Sequence, residues 1–198
     1  MEIKAELVKE LRQRTGIGMM ECKQALKESK GDIDKAIVIL RKKGYARAQS
    51  KMSRETAEGI ISSYIHLNGK IGVLLEVNCE SDFVARNDEF KELVKNIAIH
   101  IAASNPRYVS SEEISPEILE QEKDIIEEQF KDSKKPPEII EKIIQGKLGK
   151  FYEEVCLLDQ PYIKDDKVSV KQFVASYIAK FGENIRISRF ARYELGQQ

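Results

Sequence analysis

Histidine and cysteine are the side chains that most readily bind metals or act as bases and nucleophiles near neutral pH. This chain has two histidines, His66 and His100, and three cysteines, Cys22, Cys79 and Cys156. The cysteines lie far apart and show no paired spacing for a metal site or a disulfide framework. Two histidines are too few for a His-rich metal centre and give little material for a catalytic triad. Neither a P-loop nor a GxGxxG run is present. Catalysis would need an acid, a base and a nucleophile that converge, whereas the sequence offers helix-surface carboxylates and isolated cysteines that read as buried free thiols. The expectation is a protein that is not an enzyme, with no cofactor and no metal of its own.

One stretch stands apart. "NCESDFVARN", residues 78 to 87, follows a β-rich run and sets Asp82 and Phe83 side by side where that strand should end. Two readings are open. Phe83 could fold back into a core with Asp82 capping the turn, since aromatics are commonly buried. Alternatively the pair is presented to solvent as an apolar wedge beside a charge, able to open a partner's packed or metal-binding surface. A second candidate is the turn "TGIGMM", where two glycines precede Met19 and Met20. Methionine adapts to irregular surfaces, so the two either fill a small core or offer a partner groove.

The elements that must position these residues follow from periodicity. Residues 1 to 45 read as three short helices, each closed by a glycine: Gly16, Gly31 and Gly44. Asp32 is placed to cap the third. Residues 46 to 57, "YARAQSKMSRETA" without its first residue, lack a sustained apolar stripe and read as a linker. Two β-runs then meet at Asn68-Gly69, a type I′ hairpin signal. Ile71, Val73, Leu75, Val77 and Cys79 alternate onto one face of the second strand. Asn87 caps a helix whose face is Phe90, Leu93, Val94, Ile97, Ala98 and Ile101.

Downstream, Ser115-Pro116 starts an acidic helix with Ile118, Leu119, Ile125, Ile126 and Phe130 as its buried side. A "SKKPP" turn, then two shorter helices in "EIIEKIIQG" and "KLGKFYEEVCLL", lead to a loop, "DQPYIKDDK". Ser169 caps a helix that Gly182 stops, and "NIRISRFARYEL" returns as a strand beside the hairpin. The fold class is α+β: a three-helix N-terminal domain (1–45), a linker (46–57), and a core (58–198) with a small three-stranded antiparallel sheet packed by helices.

Composition sets further bounds. A chain of 198 residues, 41% hydrophobic and 33% charged, is a soluble globular type. No stretch approaches the roughly 18 apolar residues of a membrane span, and charges in "MEIKAELVKELRQ" argue against a signal peptide, so a cytoplasmic location is expected. The net charge is zero, yet residues 1 to 54 carry 14 basic against 7 acidic residues while residues 112 to 166 carry 8 against 16. A basic end raises nucleic acid as a partner. Its charges are interleaved with acids and lack aromatic stacking partners, so direct nucleic-acid binding is not expected.

The chain resembles the elongation factor Ts family, the guanine-nucleotide exchange factors of elongation factor Tu. "LVKELRQRTGIGMMECKQAL" (7–26) and "EVNCESDFVARN" (76–87) carry the resemblance. "GDIDKAI", "GKFYEEVCLLDQPYIKD" and "RFARYELG" extend it in order along nearly the whole chain. It implies that the first domain is ubiquitin-associated-like and docks on the partner's GTP-binding domain through Leu11, Arg12, Thr15, Gly16, Gly18, Met19, Met20 and Lys23. It implies that Ser81, Asp82, Phe83 and Val84 enter the partner near its Mg²⁺ and phosphate site and displace the ion. Ser81 stands where the family usually has threonine, which keeps the hydroxyl and loses a methyl. Longer relatives add a second sheet subdomain and a helical hairpin for which this chain has no room. Short relatives pair through their sheets, which implies a homodimer. The competing reading is an adaptor that binds a ubiquitin-like surface without exchange activity.

Overall fold

A computed structural model describes residues 3–130 and 136–197. Along the chain lie α1 (Ala5–Thr15), α2 (Met19–Glu28), α3 (Ile33–Gln49), β1 (Glu58–Ile65), β2 (Ile71–Cys79), α4 (Asp82–Arg86) and α5 (Asp88–Ser104). There follow α6 (Pro116–Glu128), α7 (Pro137–Val155), β3 (Pro161–Tyr162), β4 (Asp165–Ser169), α8 (Val170–Phe181) and β5 (Ile185–Glu194). The fold is α+β, as expected. Three N-terminal helices precede a core whose antiparallel sheet has the order β1-β2-β5 and is packed by helices.

The chain forms two compact units. One holds Met1–Ile60, Asn78–Leu93 and Gln172–Arg186; the other holds Ile61–Val77, Val94–Lys171 and Ile187–Gln198.

In the first unit, α1 to α3 close a small core of Ile3, Val8, Leu11, Cys22, Ala25, Leu26, Ala36 and Leu40. The helix stops at Gly16 and Gly31 hold. Gly16 takes φ 68° and its N–H bonds Arg12 O at 2.8 Å, while Gly31 at φ 90° bonds Leu26 O at 2.8 Å. Asp32 caps α3 by accepting the Lys35 N–H at 3.0 Å. Gly44 does not stop α3, which runs on to Gln49, so the stretch read as a linker begins inside a helix. The glycine serves another purpose. A Cβ built on it would lie 3.2 Å from the Ala179 Cβ, so its bare backbone lets α3 approach α8 closely.

The β1–β2 connection also differs from the type I′ expectation, which requires two residues at positive φ. Gly69 alone takes it, at 67°. The Gly69 N–H donates to His66 O at 2.7 Å and the His66 N–H to Ile71 O at 2.9 Å, a longer loop than a two-residue turn. β2 alternates as read, with Val73, Leu75, Val77 and Cys79 buried.

In the second unit the α5 residues Val94, Ile97, Ala98 and Ile101 are buried, as are Phe90 and Leu93 of that helix in the first unit. Ser115 caps α6 by accepting the Ile118 N–H. Of the five apolar positions assigned to its inner side, Ile126 is buried while Ile118 and Ile125 are exposed. α6 packs on α7, and Leu119 lies half-buried against Ile114, Val155 and Cys156.

The expected "SKKPP" turn falls largely on residues 131–135, outside the described residues. The two short helices expected after it are one, α7, which passes through Gly146 and Gly149. Internal glycine costs a helix about 1 kcal/mol each, a weak brake on a segment that buries Leu148 and Val155. The "DQPYIKDDK" loop contains a small antiparallel hairpin, β3–β4, with Pro161 opposite Ser169. Its tip is held from a distance. The Ile163 N–H donates to Nδ1 of buried His100 at 3.2 Å, and the His100 and Tyr162 rings lie 6.0 Å apart.

Candidate functional site

Ser81 follows β2 in extended conformation and caps α4, its Oγ accepting the Val84 N–H at 3.4 Å. Every polar group of Ser81 is engaged. Its carbonyl accepts the Ala85 N–H and the Cys79 thiol, each at 3.2 Å. Its own N–H and O–H donate to the two oxygens of the Glu183 carboxylate, at 3.0 Å and 2.6 Å. The cap is therefore Ser81 and not Asp82. Asp82 sits in the first turn of α4, where a carboxylate suits the helix dipole, and pairs with Arg86 at 3.1 Å.

A five-residue helix has two sides to spend. Val84 and Ala85 are buried, while Asp82, Phe83 and Arg86 face out. Phe83 is 84% exposed. Of the two readings of this stretch, burial of Phe83 in the core is removed and presentation remains. Burial pushes the Cys79 thiol beneath the turn up to about 11, with the Glu183 charge adding to the effect.

The second candidate surface lies in the same unit. Met19 and Met20 are 55% and 77% exposed, so they do not fill the three-helix core. Arg12, Gly16, Gly18 and Lys23 are exposed and Thr15 is half-buried. Leu11 differs from the rest. It is fully buried in the small core and supports the surface from below instead of forming it. The Thr15 hydroxyl donates to Leu11 O at 2.7 Å and accepts the Ile17 N–H at 3.4 Å, which fixes the α1–α2 turn. Lys180 of α8 braces the turn from outside. A Cβ on Gly16 would come 3.0 Å from the Lys180 Cε, and Lys180 Nζ pairs with Glu89 at 2.7 Å.

Gly182 stops the last helix as expected, while its neighbours Glu183 and Asn184 were passed over. Gly182, at φ 76°, ends α8, and its carbonyl accepts Lys51 Nζ. Asn184 is buried. Its N–H donates to Glu80 at 2.6 Å, and its side-chain amide to the carbonyls of Met52 at 3.2 Å and Arg54 at 2.8 Å. The visible signal was "FGENI" itself, two polar residues between a left-handed glycine and a strand that starts apolar. Among the described residues no cluster of three His, Cys, Asp or Glu could hold a metal ion.

What these residues build is a protein that presents two exposed apolar surfaces in one compact unit: Phe83 on the capped helix α4 and the methionine-bearing turn between α1 and α2. Comparison with known proteins agrees with that class and narrows it. A family model described as Elongation factor TS matches residues 3–197. The Elongation factor Ts of Fervidobacterium nodosum is 59% identical over 197 residues, covering 100% of both chains. That of Thermodesulfovibrio yellowstonii is 59% identical, covering 100% of this chain and 98% of its own. That of Thermotoga neapolitana is 57% identical over 198 residues and 100% of both chains. The chain belongs to the elongation factor Ts family and is a translation elongation factor.

Proposed function

We propose that this protein is the guanine-nucleotide exchange factor of elongation factor Tu. It binds the GDP form, inserts Asp82-Phe83 beside the partner's Mg²⁺, and promotes GDP release so that GTP can bind. The observation that carries the reading is Phe83, exposed at 84% on a helix whose cap is fully hydrogen-bonded. An aromatic side chain held out on a fixed turn beside a carboxylate is available to fill a partner's pocket. Met19, Met20, Arg12, Thr15, Gly16, Gly18 and Lys23 form the docking surface, with Leu11 as its support.

The mechanism is differential binding and requires no covalent step in this chain. An exchange factor must bind the nucleotide-free GTPase better than the GDP-bound one, and by linkage it weakens nucleotide affinity by the same factor. Displacing Mg²⁺ removes a main neutraliser of the diphosphate charge, so release speeds up before any base contact changes.

The test is release of labelled GDP from elongation factor Tu with and without the protein. Phe83→Ala slows stimulated release, by about tenfold or more if a central hot-spot side chain of at least 1.4 kcal/mol is lost, while the circular dichroism melt is unchanged. An unaltered release rate rejects the wedge role. Absence of any stimulation by the parent protein favours the ubiquitin-like-surface adaptor instead.

A further inference from the structure

Resting on the exchange reading, we propose that Glu183 is the positioning residue of the wedge: it grips Ser81 through two hydrogen bonds and so fixes the direction in which α4 aims Phe83. A five-residue helix cannot hold itself, because helix nucleation is unfavourable and few hydrogen bonds repay it. Its buried side chains, Val84 and Ala85, are small. Its C-terminal end is tied by the Asn87 N–H to Val84 O at 3.0 Å, and its N-terminal end, beside Phe83, is set by the Ser81 cap. Both donors of Ser81 end on one carboxylate, at 2.6 Å and 3.0 Å, and charge-assisted pairs of this kind are short and directional.

The anchor is itself immobilised. Glu183 lies between Gly182, whose carbonyl accepts Lys51, and buried Asn184, whose N–H is held by Glu80. Neither neighbour is free to swing. The half-buried carboxylate gives one oxygen to each Ser81 donor. On this reading Glu183 acts on insertion and not on docking. A wedge that arrives already oriented avoids the ordering cost at the moment of insertion, whereas a loosened one docks as often and inserts less often.

The experiment separates those two quantities. For Glu183→Ala, the maximal stimulated GDP release rate falls by about tenfold to a hundredfold, while the half-saturating concentration shifts by less than about threefold. Glu183→Gln, whose amide oxygen still accepts one bond, recovers part of the rate and stands in if the alanine variant does not fold. Phe83→Ala combined with Glu183→Ala is no slower than Phe83→Ala alone, because both act through the same side chain. Multiplying losses, or a loss confined to half-saturation, overturns the proposal.

A second readout needs no partner. The chain has no tryptophan, so Phe83→Trp supplies a single tryptophan at the wedge, excited selectively to the red of the seven tyrosines. Its anisotropy decay gains fast local motion when Glu183→Gln is added. If the parent protein does not stimulate GDP release, the exchange reading fails, and this decay still decides the anchoring: added motion upholds it, identical decays overturn it.

Discussion

His100 is sealed from water, and its hydrogen bonds fix its protonation state. The Ile163 N–H donates to Nδ1 at 3.2 Å, so the ring proton sits on Nε2 and donates to Gln160 Oε1 at 2.9 Å. Gln160 in turn donates to the carbonyls of Ser104 and Glu154. A second ring proton would meet the Ile163 N–H head on. Burial holds the imidazole below its ordinary value, while the Gln160 bond opposes the shift in part. In the window below the unfolded value of about 6.5, the unfolded chain then binds more protons than the folded one. Stability contributed by neutral His100 is present above that value and is lost as pH falls through the folded value. Urea midpoints should drop between pH 7 and pH 5, and the slope should flatten in His100→Gln.

Ser81 makes a different prediction at the same scale. Ser81→Ala removes a cap worth about 1 kcal/mol together with its hydroxyl bond to Glu183, so the unfolding midpoint falls. Ser81→Thr keeps the hydroxyl and should match the parent. The Asp-Phe pair was visible in the sequence, but its exposure was not. The cap and direction of α4 depend on a carboxylate 102 positions away, which no local pattern encodes.

At the scale of elements, α1, α2, α5 and β2 were legible because their own periodicity and caps specify them. The elements misread were those decided by a remote neighbour. α3 passes Gly44 because α8 lies close against it, and β3–β4 forms where His100 receives the backbone of its tip. Two glycines in helices make the point measurable. Gly146 in α7 has nothing within 4 Å of an added Cβ, so Gly146→Ala should gain about 0.5–1 kcal/mol. Gly44→Ala gains the same propensity but sets a methyl 3.2 Å from the Ala179 Cβ. Its urea midpoint should rise less than that of Gly146→Ala, or fall.

For the whole molecule, the sheet carries an apolar surface that is exposed among the described residues. Ile61, Ile65, Leu74, Tyr193 and Leu195 are all exposed, and a shallow groove lined by Ile65, Leu74, Tyr193 and Leu195 runs among them. Contiguous exposed apolar patches on soluble proteins mark interaction sites. A second copy of the chain is the occupant proposed here, with each partner GTPase touching both copies. Sedimentation should report a dimer that Leu74→Lys shifts toward monomer, while a monomeric parent at micromolar concentration would remove the proposal. Charge was informative at this scale only in part. The net value of zero conceals a basic first segment and an acidic later one.

The grip of Asn184 on the carbonyls of Met52 and Arg54 has a consequence for modularity. The first 57 residues cannot be exchanged as a cassette. A graft from a distant relative would need a matching glycine against Ala179 and a backbone path that meets the host's asparagine. Failing either, the chimera would keep its helices and lose the registration between the methionine-bearing turn and α4.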